Sequence, residues 1–157
     1  MVDDGKVLMP KGNSFVEVSV ERWQELKQTM EFHMGLAKEA NAPSDFRFLN
    51  GLNPKRVGVS EVDPDNTGMR SLNKHLASSC SGQTPLCQRI RDVIADITAH
   101  KDMLLNDSKS CCVIIMTDGA ASDGDMAEAM RPLAQLPCNV IVRLCTSEDS
   151  VVEYWDG

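Results

Sequence analysis

No stretch of this sequence stays apolar for long. The longest such run, Cys111-Cys112-Val113-Ile114-Ile115-Met116, falls far short of the roughly 20 residues a bilayer-spanning helix needs, so no membrane span is expected. No secretory leader is expected either: Met1-Val2-Asp3-Asp4-Gly5 opens acidic, where a leader starts basic and turns apolar. Positive charge is scarce. The 16 Lys and Arg stand against 23 Asp and Glu, for a net charge of -7, a field that repels phosphate backbones and argues against nucleic acid as a partner. No Cys-x-x-Cys pair, Cys/His zinc spacing, Walker loop, Rossmann glycine fingerprint or Gly-x-Ser-x-Gly elbow occurs. The six cysteines read as reduced packing residues of a cytoplasmic protein, because Cys111, Cys112, Cys138 and Cys145 fall in or beside apolar strand patterns.

What is present is an alternation of helical and extended patterns over 157 residues, long enough for one domain to bury about two-thirds of its unfolded surface. Between Arg22 and Ala40, Trp23, Leu26, Met30, Met34 and Ala37 recur three or four apart, which predicts an amphipathic helix. Pro43 closes its exit. Phe46 to Asn50 and Arg56 to Val59 read as short extended pieces, and Met69, Leu72 and Leu76 mark a short helix. A longer helix is predicted from Pro85 to Leu105, with Leu86, Ile90, Val93, Ile94 and Ile97 on one face. Cys112 to Met116 reads as a central strand, apolar on both faces and covered by helices on both sides. Asp123 or Asp125 starts the next helix, Val140 to Leu144 is the last strand, and Glu148 to Trp155 begins a final helix. The segment from Lys6 to Val20 alternates at Val16, Val18 and Val20 and has turn chemistry at Pro10-Lys11-Gly12-Asn13, the pattern of a small hairpin. The fold class expected is α/β with a largely parallel sheet.

In open sheets of that class, ligands bind where loops converge at the carboxyl ends of the strands. Three loops are expected there: Val2-Asp3-Asp4-Gly5, Ser81-Gly82-Gln83-Thr84-Pro85 and Met116-Thr117-Asp118-Gly119. Two carboxylate loops and a threonine hydroxyl are hard oxygen donors of the kind that suits Mg²⁺ or Mn²⁺. Thr84 also reads as a helix N-cap before Pro85.

With Gly82-Gln83-Thr84-Pro85-Leu86 and Ile114-Ile115-Met116-Thr117-Asp118-Gly119 in this element order, nearly the whole chain resembles the von Willebrand factor A (vWA) domain family. The resemblance implies a Rossmann-like doubly wound sheet, helices on both faces, and a metal-ion-dependent adhesion site at its top. In the family that site draws on a first-loop D-x-S-x-S, a second-loop threonine and a third-loop aspartate. Matched residue by residue, Asp3, Thr84 and Asp118 would hold the metal. Asp4, Gly5, Lys6, Gly82, Gln83, Gly119 and Asp123 would lie on the partner-binding loops. The sequence departs from the motif at the serine positions, which hold Gly5 and Val7 with Lys6 between them; taking Asp4 as the aspartate moves them to Lys6 and Leu8. Mg²⁺ or Mn²⁺ is therefore expected to bind weakly or not at all, and the Lys6 ammonium offers a substitute charge for the cation. The plan also has a strand before Asp3 and another after Gly157. Residues 1–157 then read as a single vWA-like domain truncated at both ends, part of a larger polypeptide.

The function expected is a non-enzymatic intracellular module that binds a protein partner through this partial site. One alternative is a degenerate vWA scaffold without metal. Another is a metal-assisted phosphoester hydrolase, which lacks a general base because His33, His75 and His100 all fall on helices.

Overall fold

The computed structural model describes residues 5–11, 14–20, 22–50, 54–58, 67–77 and 83–156. It is mixed α/β and divides into two compact units, Met1–Gly82 and Gln83–Gly157. Asp3, Asp4 and Gly82 lie outside the described residues.

The first unit opens with strands β1 (Gly5–Lys11) and β2 (Ser14–Val20), paired antiparallel from Gly5↔Val20 to Lys11↔Ser14. The hairpin pattern in the sequence is thus realised. It also corrects the reading of Gly5 and Lys6 as loop residues, since both are ladder positions in β1. Helix α1 (Arg22–Glu39) follows the expected periodicity, burying Trp23, Leu26, Met30, Met34 and Ala37. It ends in a Schellman turn: Asn41 takes a left-handed φ of 48°, its N–H donates to Lys38 O at 3.1 Å, and Ala42 N–H donates to Ala37 O at 2.9 Å.

Strands β3 (Ser44–Phe46) and β4 (Lys55–Val57) then pair antiparallel. The first starts two residues earlier than the apolar pattern at Phe46 to Asn50 suggests. Its register is set by charge: Asp45 lies opposite Arg56 and accepts from Nε and Nη2 at 2.6 and 2.7 Å. This fork holds the Asp45 carboxyl below its ordinary range, with Arg47 adding a weaker pull from 3.7 Å. Helix α2 (Thr67–Leu76) lies against β4, burying Leu72 and Leu76.

The second unit begins with α3 (Leu86–Ala99), which buries Leu86, Cys87, Ile90 and Ile97. The long helix expected to reach Leu105 breaks at His100. The His100 ring sits 2.8 Å from the Asp96 carbonyl, which the His100 N–H would otherwise meet in an α-helix, and that N–H turns to Ile97 O instead. Helix α4 (Lys101–Asn106) resumes and ends in a second Schellman turn, with Ser108 left-handed at φ 53°.

Strand β5 (Cys111–Thr117), helix α5 (Met126–Met130), a 3₁₀ turn (Arg131–Gln135) and strand β6 (Cys138–Leu144) form a parallel crossover, in register from Cys111↔Cys138 to Thr117↔Leu144. Helix α6 (Asp149–Asp156) follows. Among the described residues the strands pair as three two-stranded sheets, of which only β5–β6 is parallel. The expectation that β5 is covered on both faces is corrected as well. Ile115 and Thr117 are buried, whereas the alternate positions Cys112 and Ile114, with Ile141 beside them on β6, are exposed. No described helix is long and apolar enough to cross a membrane.

Candidate functional site

The carboxyl end of β5 carries Thr117, Asp118 and Gly119, as the sequence pattern predicts. Thr117 is buried and folds its own exit: its hydroxyl donates to Gly119 O at 3.1 Å and accepts from Gly119 N–H at 3.3 Å. The indole Nε1 of Trp155, on α6, donates to the same Gly119 carbonyl at 3.4 Å. Cys145 N–H, just beyond β6, donates to Thr117 O at 2.8 Å. Asp118 is half-buried within this frame.

The segment that follows is locked to the start of α3. Thr84 N–H donates to Ser122 Oγ at 3.1 Å, and Ser122 N–H donates back to Thr84 O at 2.9 Å. Asp123 completes the link by accepting from Cys87 N–H at 3.0 Å and Gln88 N–H at 2.8 Å. A helix leaves its first N–H groups without intrahelical partners, and Pro85, at the N-cap position of α3, has no side chain that can cap it. Asp123 caps the helix from 36 residues away in the chain. The expectation that Thr84 caps α3 is corrected accordingly, and of Asp123 and Asp125, the two residues expected to start the next helix, Asp123 does not cap it. That role belongs to Asp125, which accepts from Glu128 N–H at 3.1 Å.

Thr84 of the second predicted loop is therefore held beside Ser122, in the segment that continues from the third predicted loop past Gly119. Val2, Asp3 and Asp4 of the first predicted loop lie outside the described residues. Ser122 and Trp155, which frame the site, carry no local sequence signal of such a role. A serine next to Asp123 was the nearest hint.

Burial alone would raise the Asp123 carboxyl, but the N–H groups of Gln88 and Cys87 outweigh it and bring it below its ordinary range. Burial pushes the neighbouring Cys87 thiol up, and the Asp123 charge adds to this. Cys87 is 0% exposed, with its sulfur 3.8 Å from Met126 Sδ, so it acts as packing between α3 and α5.

The cap makes a specific prediction. Asp123→Ala should cost about 1 kcal/mol near neutral pH, towards the lower part of the range for lost caps because the side chain faces solvent. Since the folded carboxyl lies below its unfolded value, its stabilisation is fully present above the unfolded pKa of about 4 and is lost as pH falls through the folded pKa. Urea melts of wild type and variant should differ at pH 7 and converge in strong acid. A gap that persists undiminished there would rule out the carboxylate as its source.

As a metal site, the described donors are incomplete. Mg²⁺ asks for an octahedron of oxygens, and Thr84 and Asp118 are the two expected ligands that the structure describes, Asp3 lying outside. Both Asp123 oxygens face helix N–H groups. No group of three His, Cys, Asp or Glu side chains suited to a metal occurs among the described residues. A cleft of about 380 Å³ beside α3 and α5 is lined by Arg91, Ile94, Ala95, Glu128, Ala129 and Pro132. His100 lies at the opposite end of α3 from Asp123. In the first unit, the His75 ring packs on Phe48 at 4.1 Å and the His33 ring lies 5.6 Å from Phe32. Comparison of the chain with protein-family models, curated proteins and solved structures gives no match.

Proposed function

We propose that the chain is a non-enzymatic, intracellular protein-interaction module of vWA-like, doubly wound plan. Its partner docks on the loops at the carboxyl end of β5 and β6. The observation that carries this reading is the lock between Thr84, Ser122 and Asp123, which holds two separate loops as one preformed surface. Preformed loops bind with less ordering cost than mobile ones. The parallel β5–β6 crossover, with Asp118 at its carboxyl end, is consistent with the plan and with the usual place of ligands in such sheets. Thr84 and Asp118 are the residues that would contribute to holding Mg²⁺ or Mn²⁺, with water or a partner carboxylate supplying what these two lack. The metal-free alternative uses the same face.

Three measurements test the reading. In affinity capture compared quantitatively between wild type and Asp118→Lys, a protein retained by the first should be lost or depleted at least several-fold with the second. Equal retention of every captured protein would remove the docking face. Titration calorimetry with Mg²⁺ and Mn²⁺ decides the metal: heat that disappears in Asp118→Ala places the cation at Asp118, and no heat in wild type leaves the metal-free form. Metal-dependent turnover of a generic phosphoester, abolished by Asp118→Asn, would replace the module by a hydrolase.

A further inference from the structure

At the opposite end of the β5–β6 pair from Asp118, two cysteines lie side by side. Cys111 opens β5, Cys138 opens β6, and they are register partners. Neighbouring strands run about 4.8 Å apart, which falls within the Cα separation of roughly 4.4–6.8 Å that a disulfide spans. Paired residues of parallel strands point to the same face, and both cysteines are half-buried on the side that carries Ile115 and Thr117. Cys112 points the other way and is exposed. The Cys138 thiol donates to Leu133 O at 3.5 Å, and Cys111 N–H donates to Pro137 O at 2.9 Å, a bond that ties the two strand starts together. Burial raises both thiols, and the charge of Cys111 raises Cys138 further, as expected of neighbouring sulfurs.

We propose that Cys111 and Cys138 are a reversible thiol–disulfide site, oxidised by a small-molecule disulfide. The Cys111 thiolate attacks one sulfur of the oxidant, whose S–S bond breaks and releases a thiolate. The Cys138 thiolate then displaces the second half from the mixed disulfide, and the reverse order gives the same product. Two cysteine thiols are oxidised, one disulfide is reduced to two thiols, and the two cysteine protons pass to the released thiolates. The new bond staples the start of the crossover at the end of the strands away from the proposed docking loops, so the site does not depend on that function.

The test uses the whole wild-type chain, incubated with oxidised glutathione, blocked with an alkylating agent and mapped by non-reducing peptide mass spectrometry. The expected product is an intramolecular Cys111–Cys138 peptide pair, lacking two hydrogens and restored by dithiothreitol. Cys112→Ser should form it to the same extent, whereas Cys138→Ser should stop at a mixed disulfide with glutathione on Cys111. Because the assignment is read on the wild-type chain, it does not depend on the stability of either variant. No linkage in wild type, glutathionylation at both positions without linkage, or a dominant disulfide through any other cysteine overturns the proposal.

Discussion

Replacing Gly58 by alanine should unsettle the first unit more than any other single methyl group added there. Gly58 holds a φ of 94°, a left-handed conformation that side-chain-bearing residues rarely adopt. Its missing Cβ would also press on backbone that cannot yield: the Ala42 carbonyl, and the Ala37 carbonyl at 2.8 Å. Ala37 O is the acceptor that closes the Schellman turn of α1, so relief by moving it would break the turn. Adding strain to overpacking, the expected loss is about 3 kcal/mol. Gly35 provides the comparison. It lies on α1 with nothing within 4 Å of its Cβ position, and Gly35→Ala should stabilise by about 0.5–1 kcal/mol through helix propensity. Thermal melts with hydrogen exchange across residues 37–46 should show opposite signs for the two variants. A neutral Gly58→Ala would mean that Gly58 does not lie against the end of α1.

In the second unit the largest loss is expected from Ile90→Ala. Ile90 is 3% exposed and lies on the buried side of α3, between Cys87 and Ile97. Truncating it removes apolar burial and leaves a cavity, at a cost of about 2–4 kcal/mol; Ile90→Val should cost about 1 kcal/mol. The functional reading gives this variant a second use. The Asp123 cap and the Ser122–Thr84 pair both anchor on the start of α3, so loosening the helix should raise amide exchange at residues 119–125 together with α3 itself. If exchange rises in α3 while the 119–125 segment keeps its protection, the loops are not held by the helix.

Helix α1 was legible because five apolar residues fall on one stripe, and β5 because a compact apolar run leads directly into Thr-Asp-Gly. The terms that remained hidden are nonlocal or compete with the local pattern. The start of β3 follows an Asp45–Arg56 fork across strands, which hydropathy does not register. The break at His100 arises from a ring nitrogen approaching a carbonyl within a stretch whose apolar periodicity continues through it. At the site, Asp118 and Thr84 could be named from their places after a strand and before a helix. Asp123 and Asp125 both read as helix starts because aspartate favours that position; Asp125 is one, whereas Asp123 caps a different helix, at Cys87, 36 residues earlier. Trp155 reaches Gly119 from the last helix, and nothing in the intervening chain marks that meeting. Which sheets the strands would form was the least legible feature, since alternation identifies a strand without naming its neighbour.

The parallel register of β5 and β6 also sets an order of events. Antiparallel neighbours close in sequence, such as β1 and β2, need no crossover, and hairpins close within about 1–10 μs. A parallel pair waits for its crossover, so Ile114 cannot meet Ile141 until the chain through α5 and the 3₁₀ turn has doubled back. The Asp123 cap can close before β6 arrives, because both of its partners precede that strand. The bonds from Cys145 to Thr117 and from Trp155 to Gly119 cannot. On a ribosome, the Asp118 corner is therefore completed only after α6 has left the exit tunnel.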